Sequence, residues 1–175
     1  MPEIILRGAV VHDDWQVLRP SGGQQAVVPA GRVIVPLPVW QADHEALSLR
    51  GGVGVGVWLA GTDEPGALAP WLGALKLVAV DFPKFTDGRG YSIAHLLRSR
   101  HAYRGELRAI GDVLPDQLFY MSRVGFDAFA VRADKDIRQA LRSLQPFSDS
   151  YQGSWSNPVP AYRRHERGWP RGAGA

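Results

Sequence analysis

Between residues 53 and 144, apolar segments of strand length alternate with segments of helical periodicity. The strand-like segments lie near 53–59, 76–82, 106–110 and 127–131, and the segments between them carry apolar residues spaced three and four apart. Such alternation is typical of βα units, which build a parallel sheet. We therefore predict an α/β fold with a small, mostly parallel sheet built from about four βα units.

The apolar run Leu77–Val80 is uninterrupted, which favours a strand covered on both faces. Four units are too few for a closed eight-stranded barrel. An open sheet with helices on its faces is the first expectation, and a half-barrel-like (βα) arrangement is the alternative.

The first 52 residues have a different character. The sequence "EIILRGAVVHDDWQVL" holds two apolar runs around Arg7-Gly8 and a turn signal at His12-Asp13-Asp14, "GRVIVPLPVW" predicts a strand ended by prolines, and "QADHEALSLRGG" predicts a short helix. We expect residues 1–52 to form a β-rich extension with antiparallel strands at one sheet edge, and residues 53–150 to form the βα core of the same domain. Residues 151–175, rich in Gly, Pro, Ser and Arg, predict a mostly disordered basic tail.

Composition excludes several classes of site and partner. The chain has no cysteine, which excludes disulfides, thiolate nucleophiles, iron–sulfur clusters and Cys-type zinc sites. Its net charge of +3 comes from the four Arg and one Glu that follow residue 150, so the basic pI is a property of the tail and we expect no nucleic-acid partner. With no apolar run of bilayer length and no basic leader, we expect a cytoplasmic protein without a membrane partner.

The predicted loop from Asp81 to Gly90 has the features of an anion site. Ligands of open α/β sheets bind at the carboxyl ends of the strands. Glycines there allow close approach of the backbone, and the helix that follows offers free N–H groups and the positive end of its dipole. We predict a site for a small oxyanion such as phosphate, sulfate or sulfite, or for a carboxylate. The assigned residues are Lys84, Gly88, Arg89, Gly90 and Ser92, joined by Arg108 or Gln117.

The same loop also has a purely structural interpretation. Asp87-Gly88 is a common turn pair, Pro83 ends a strand, and Arg89 is able to pair with Asp81 or Asp87. Neither G-x-G-x-x-G nor G-x-x-x-x-G-K-[ST] occurs in the chain, so no phosphate-binding motif decides between the two interpretations.

Three acidic residues, Asp81, Asp112 and Asp134, lie at or just beyond predicted strand ends. Converging carboxylates would suit Mg²⁺, which prefers oxygen ligands. Asp is also common as a helix cap, and Asp112 and Asp134 precede predicted helices, so we expect capping and ion pairing rather than a metal site. The histidines, at positions 12, 44, 95, 101 and 165, show no metal-ligand spacing, and we assign none of them a catalytic role.

A charge-rich stretch crosses the end of one predicted helix and the next strand. It contains Arg98, Arg100, Arg104, Glu106 and Arg108. Arginines near a helix C-terminus complement the dipole, and residues two apart on a strand share a face. We expect an exposed network of ion pairs here, with a partner-binding surface as the alternative.

Three motifs resemble a known family. The stretches "DDW", "DFPKFTDGRGYSIAHLLRSR" and "GELRAIGDVLPDQLFYMSRVGFDAF" are together similar to the bacterial family catalogued as domain of unknown function 934, over about Ile4 to Gln152. The family often has Cys where this chain has Val124, so no essential chemistry rests on a thiol here. The matching positions are Phe82, Pro83, Lys84, Phe85, Asp87, Gly88, Arg89, Gly90, Tyr91, Ser92, Arg98, Glu106, Arg108, Gly111, Asp112, Asp116 and Gln117.

The resemblance implies a role in sulfur assimilation. Members of this family are often named oxidoreductases and are commonly encoded beside assimilatory sulfite or nitrite reductase genes. The resemblance thus implies an accessory protein of sulfite or nitrite assimilation, with a small oxyanion or a reductase subunit as partner. A cofactor- or Mg²⁺-dependent enzyme and a purely structural assembly factor are the alternatives. Neither a cofactor nor an oligomeric state follows from the sequence.

Overall fold

One eight-stranded sheet organises the fold in a computed structural model that describes residues 2–20, 27–50, 54–144, 151–155 and 157–166. The strands are β1 (Glu3–Leu6), β2 (Ala9–His12), β3 (Gln16–Val17), β4 (Val33–Pro36), β5 (Val55–Leu59), β6 (Leu77–Phe82), β7 (Glu106–Gly111) and β8 (Ala128–Phe129). The helices are α1 (Leu37–Ser48), α2 (Arg89–Ser99), α3 (Leu118–Val124), α4 (Ile137–Arg142) and α5 (Ala161–Glu166), and short 3-10 helices cover Pro65–Leu68 and Pro115–Gln117.

The strand order is β2-β1-β8-β7-β6-β5-β4-β3. Neighbours from β3 to β8 are parallel, whereas β1 is antiparallel to both β2 and β8. The four predicted parallel strands are therefore confirmed as β5 to β8, and the predicted antiparallel strands at one edge are confirmed as β1 and β2. The other two N-terminal strands, β3 and β4, extend the opposite edge in parallel.

The sheet is curled into a half-barrel, because its two edge strands are joined by only three residues. β2 ends at His12 and β3 begins at Gln16, at the opposite end of the strand order. Seven inter-strand spacings of about 4.8 Å would separate these edges by roughly 34 Å in a flat sheet. The four Cα–Cα steps from His12 to Gln16 reach only about 14 Å when fully extended. A turn was expected at His12-Asp13-Asp14, and residues 13–15 instead span the gap between the sheet edges.

The two faces of the curled sheet have different cores. Val57, Val80 and Leu107 point to the face that the helices cover, where they belong to the large apolar cluster that includes Leu97 of α2 and Met121 of α3. The inner face has a small cluster formed by Ile34, Leu77, Ala79 and Ile110, with Trp15, Val17, Trp58 and Ala130 packed against it. The continuous apolar pattern of Leu77–Val80 thus arises because both faces of β6 are covered.

Two local signals explain where helices begin and end. α1 begins at Leu37, earlier than the predicted segment 41–52, because Pro38 lies in the first helical turn, where its missing N–H group needs no partner. α3 ends before Gly125, which has a φ of 118° and receives the chain in the left-handed conformation. Among the described helices, none has the length and apolarity needed to cross a bilayer.

The segment after residue 150 is described in part. Trp155 donates its backbone N–H to the carbonyl oxygen of Arg123 at 3.1 Å. The guanidinium carbons of Arg98 and Arg104 lie 5.0 and 5.7 Å from the centre of its ring. Residues 167–175 lie outside the described residues, so the disordered tail and the domain boundary near residue 150 stay predictions.

Candidate functional site at the carboxyl ends of the strands

The loops that follow the parallel strands meet at one end of the sheet. Strands β6 and β7 pair in register from Leu77↔Glu106 to Phe82↔Gly111, so the loops that begin at Pro83 and Asp112 are neighbours. The segment after β3 reaches the same end, where Arg19 pairs with Asp81 of β6. This end collects most of the residues that the sequence assigned to a site.

The loop between β6 and α2 is held in shape by the next loop. The backbone N–H of Phe85 donates to Asp112 Oδ2 at 3.0 Å, and the Phe85 carbonyl oxygen accepts from Gln117 Nε2 at 2.9 Å. Gln117 Oε1 accepts from the Leu114 N–H at 3.2 Å. Gln117 was predicted as an anion ligand, but both polar atoms of its side-chain amide are hydrogen-bonded to the backbone, to Leu114 and to Phe85.

The side chain of Phe85 is exposed although its backbone is fixed. It is 55% exposed, as is Tyr120 of α3. The Tyr120 ring lies 5.1 Å from the ring of Tyr91, which in turn lies 5.4 Å from Phe82 in the core. Phe82, Phe85 and Tyr91 are positions that match the family motif, but the sequence analysis assigned none of them, nor Tyr120, to a site. Nothing in their spacing distinguishes an exposed aromatic side chain from a buried one.

Arg89 pairs with Asp87 and not with Asp81. Its Nε and Nη2 atoms donate to the two carboxylate oxygens of Asp87 at 2.9 and 2.6 Å, and its backbone N–H donates to Asp87 Oδ1 at 3.2 Å. These hydrogen bonds lower the pKa of Asp87 to about 2, and those from the Arg89 side chain have the largest effect. Asp87 is therefore charged at neutral pH and supplies an anion at the N-terminus of α2.

The guanidinium of Arg89 remains accessible despite this pair. The side chain is 57% exposed, and its Nη1 atom donates to no described residue. It lies against Gly61 in the loop after β5, where an added Cβ atom would be 3.1 Å from Arg89 Nε. Lys84 and Ser92 are exposed on the same loop and on the first turn of α2, and Lys84 forms no ion pair with a described residue.

The two glycines have different roles. Gly88 precedes α2 with a φ of −79°, and a Cβ atom added there would meet nothing within 4 Å. Gly90 is buried, and an added Cβ atom would lie 2.6 Å from the ζ-carbon of Phe82 and 3.1 Å from a methyl group of Val80. Gly90 therefore allows α2 to pack closely against β6, and this packing sets the position of the loop.

Arg108 does not join this loop. It lies on the inner face of β7, where its side chain is 2% exposed. Its Nη1 donates to Asp13 at 2.9 and 3.1 Å, and its Nε donates to Glu106 Oε1 at 2.7 Å. Asp13 belongs to the "DDW" motif, so three motif positions meet in closing the half-barrel. The expected exposed ion-pair network is wrong here, because the sheet curls over Arg108.

Arg98, on α2, was also expected to be exposed, and it is buried as well. It is 3% exposed and donates to the carbonyl oxygens of Gly125, Tyr103 and Gly105 at 2.9, 2.8 and 2.8 Å. Burial lowers the pKa of Arg98, while the nearby Asp127 carboxylate, 3.3 Å away, opposes that effect. Arg98 thus ties the end of α2 to the starts of β7 and β8.

The three strand-end carboxylates are each paired with arginine. Asp81 accepts from Arg19 at 2.7 and 3.2 Å. Arg132 bridges the other two, donating to Asp112 at 2.8 Å and to Asp134 at 2.6 and 2.9 Å. Hydrogen bonds to Asp134 and then Asp112 raise the pKa of Arg132, and the Arg132 contact holds the pKa of Asp134 far below its usual range.

Two consequences follow for the acidic residues. Among the described residues, no three His, Asp or Glu side chains are grouped in a way that suits a metal ion. Pairing was expected and is found, but the expected capping is wrong. The cap of α4 is Asp136, which accepts from the backbone N–H groups of Arg138 and Gln139, because α4 begins at Ile137, directly after Asp136.

The described histidines lie apart from this end of the sheet or on its surface. His44 packs on the rings of Trp71 and Trp40, with centroids 4.9 and 6.5 Å away. His12 and His95 are exposed, and His101 is half-buried near the start of β7. The side chain of His165 lies outside the described residues.

Comparisons with known proteins identify one family. A family model described as a bacterial protein of unknown function (DUF934) matches residues 56–162, which is more than half of the chain. The match includes the loop around Phe85 and Arg89 and excludes β1 to β4. No curated protein and no solved structure matches the chain.

Proposed function

This chain belongs to the DUF934 family of bacterial proteins, and we propose that it is an accessory protein of sulfite or nitrite assimilation. It would bind a small oxyanion, and a reductase subunit, at the loop between β6 and α2, and it would act in the cytoplasm. The link with assimilation rests on the resemblance described above. The observation that carries the binding role is the fixed, exposed Phe85 between the two exposed cations Lys84 and Arg89.

The exposed aromatic residues support a protein partner. Both polar backbone groups of Phe85 are hydrogen-bonded, so its exposure does not result from a loose loop. The rings of Tyr120 and Tyr91 form a tilted pair that continues into the core through Phe82. Aromatic and Arg side chains are enriched in the centres of protein interfaces, where they supply most of the binding energy.

The two cations support an oxyanion partner. Asp87 holds two of the Arg89 donor atoms, which orients the guanidinium and leaves Nη1 free of described partners. Lys84 adds a mobile charge, and Ser92 adds a hydroxyl on the first turn of α2. An oxyanion bound here would accept charge-assisted hydrogen bonds, which are stronger than neutral ones.

The alternative of a Mg²⁺-dependent enzyme has less support. Each of the three carboxylates that would hold the ion already accepts from arginine. A cation at that place would have to displace Arg19 and Arg132 from their partners. The alternative of a purely structural assembly factor predicts reductase binding without any anion binding, and the two experiments below separate it from our proposal.

The first experiment tests the protein partner. The tagged full-length chain is recovered from cells grown with sulfate as the sole sulfur source, and copurifying proteins are identified by mass spectrometry. We expect a sulfite or nitrite reductase subunit with the wild type and a strong reduction with Phe85→Ser. The matched control is Leu49→Ser, an exposed apolar residue at the end of α1 that is 89% exposed. Recovery of no reductase subunit, or equal recovery with Phe85→Ser, would contradict this role.

The second experiment tests the oxyanion. Isothermal titration with sulfite and with sulfate is compared for wild type, Arg89→Ala and Arg89→Lys, with the exposed Arg138→Ala as control. Loss of one charge-assisted bond of roughly 1.5–3 kcal/mol should weaken binding by about 10- to 150-fold. Arg89→Lys should rescue only in part, because it keeps the charge without the planar fork. Absence of any anion binding to the wild type would leave the loop with a structural role.

A further inference from the structure

A cavity opens at the opposite end of the sheet, where β6 and β7 begin. Its volume is about 650 Å³, and its lining includes Arg7, Leu72, Leu75, Lys76, His101 and Arg104. Known small-molecule sites have volumes of about 300–1,000 Å³ and combine apolar walls with a few polar groups. The cavity is separate from the loops of the proposed function, because it lies at the amino ends of the same strands.

Two basic residues of this cavity, Lys76 and Arg104, are exposed and form no ion pair with a described residue. The third, Arg7, pairs with Asp127 at 3.5 Å. The acidic side chain in the lining, Glu106, is already bonded to Arg108. The cavity is therefore a place where positive charge is in excess.

The wall of the cavity is held rigidly. Arg98 donates to the carbonyl oxygens of Tyr103 and Gly105, both at 2.8 Å. The Tyr103 hydroxyl bridges to the carbonyl oxygens of Leu75 and Glu106, each at 3.2 Å. These contacts fix a turn in which Ala102 has a φ of 51°, a conformation that residues other than glycine seldom adopt. A preformed wall reduces the ordering that a ligand would otherwise require.

We propose that this cavity binds a small organic dianion, a phosphate monoester whose apolar body contacts Leu72 and Leu75 while its charged group pairs with Lys76 and Arg104. The two leucines give the lining an apolar part that an inorganic ion does not need, and the two cations, neither of which forms an ion pair with a described residue, match a double negative charge. His101 at the same wall adds a further hydrogen-bonding group.

The test uses 1-naphthyl phosphate, which has an apolar ring system and a dianionic ester. Binding to the full-length protein is measured by isothermal titration, with inorganic phosphate and 1-naphthol as probes that lack one half of the ligand. We expect saturable binding of 1-naphthyl phosphate with a stoichiometry of one, and binding at least about tenfold weaker for each partial probe. Binding of inorganic phosphate as strongly as the ester would contradict the role of the leucines.

The variants locate the binding site. Lys76→Gln/Arg104→Gln should weaken binding by at least about tenfold, since it removes two charge-assisted contacts on exposed side chains. Arg138→Gln, an exposed arginine of α4, and Arg89→Ala, at the other end of the sheet, should leave binding unchanged. Thermal unfolding of each variant confirms the fold. The proposal is overturned by an absence of saturable binding, by full affinity in the double variant, or by a loss of affinity in Arg89→Ala.

Discussion

The guanidinium of Arg108 in β7 donates to both carboxylate oxygens of Asp13, a residue 95 positions earlier in the chain. Asp13 lies in the three-residue segment that joins the two edges of the curled sheet. The same guanidinium also bonds Glu106, and the Arg108 side chain is 2% exposed. This buried group therefore links the closing segment to a central strand.

We expect Arg108→Met to destabilise the fold strongly. Removing the cation leaves the carboxylates of Asp13 and Glu106 without their partner, and such a loss typically costs about 3–5 kcal/mol. Urea unfolding at pH 7 measures the change in the free energy of unfolding. Arg138→Met, on the exposed face of α4, should change it by less than about 0.5 kcal/mol. Similar effects of the two substitutions would show that the inner-face pair contributes little.

Glu106 should give the stability a specific pH dependence. Burial raises its pKa above the ordinary 4.5, against the lowering effect of Arg108. The native state thus holds the proton more tightly than the unfolded chain. The contribution is fully present below pH 4.5 and is lost as the pH rises through the folded pKa.

Glu106→Gln tests this sign. Gln keeps a carbonyl oxygen for Arg108 but does not titrate, so the stability of wild type relative to the variant should be greatest at low pH and should fall as the pH rises. The measurement is urea unfolding of both proteins from pH 4 to 7. A constant difference across this range would mean that Glu106 titrates alike in both states.

A pair of glycine substitutions tests how the loop is positioned. Gly90→Ala should cost about 1–3 kcal/mol, because the new methyl group meets the Phe82 ring and Val80 and forces α2 away from β6. Gly88→Ala should have a much smaller effect, since its Cβ atom meets nothing within 4 Å and its φ of −79° suits any residue. Thermal or urea unfolding compares them, and equal costs would contradict the close helix–strand contact.

Asp87→Asn tests whether Asp87 competes with an external anion. Its pKa of about 2 keeps it charged at neutral pH, where it occupies two donor atoms of Arg89 and repels other anions. We expect sulfate or sulfite to bind Asp87→Asn severalfold more tightly than wild type in isothermal titration. Unchanged affinity would show that Arg89 is not a ligand, and Asp136→Asn, another acidic residue at the start of a helix, is the control for net charge.

Local features were predictable where neighbours along the chain carry the information. The strand β6 follows from its continuous apolar run, and the end of α3 at Val124 follows from Gly125, the residue type that best adopts the left-handed conformation found there. The pairing of Arg89 with Asp87, one of the two partners considered, is likewise decided within three residues of one loop. The start of α1 was missed because Pro38 was read as ending a strand, while its missing N–H group suits a first helical turn equally well.

The candidate site was predictable in position but not in composition. The loop after β6 was identified because parallel strands bring their carboxyl ends together. Gln117 and Arg108 were assigned to the anion because both carry polar groups near that end. In the structure, Gln117 bonds instead to Phe85, 32 positions away, and Arg108 bonds to Asp13, 95 positions away. These long-range contacts are not visible in the local sequence.

The sequence by itself determined the βα alternation, the parallel core and the antiparallel hairpin, since the periodicity of apolar residues and the turn at Arg7-Gly8 act over a few residues. Only the tertiary structure decided the curl of the sheet and the burial of Arg98 and Arg108. It also decided the exposure of Phe85. The physical reason is that burial and ion pairing depend on which distant segments come together. The residues next to a charged side chain in the sequence are the same whether another segment of the chain buries it or it stays in contact with water.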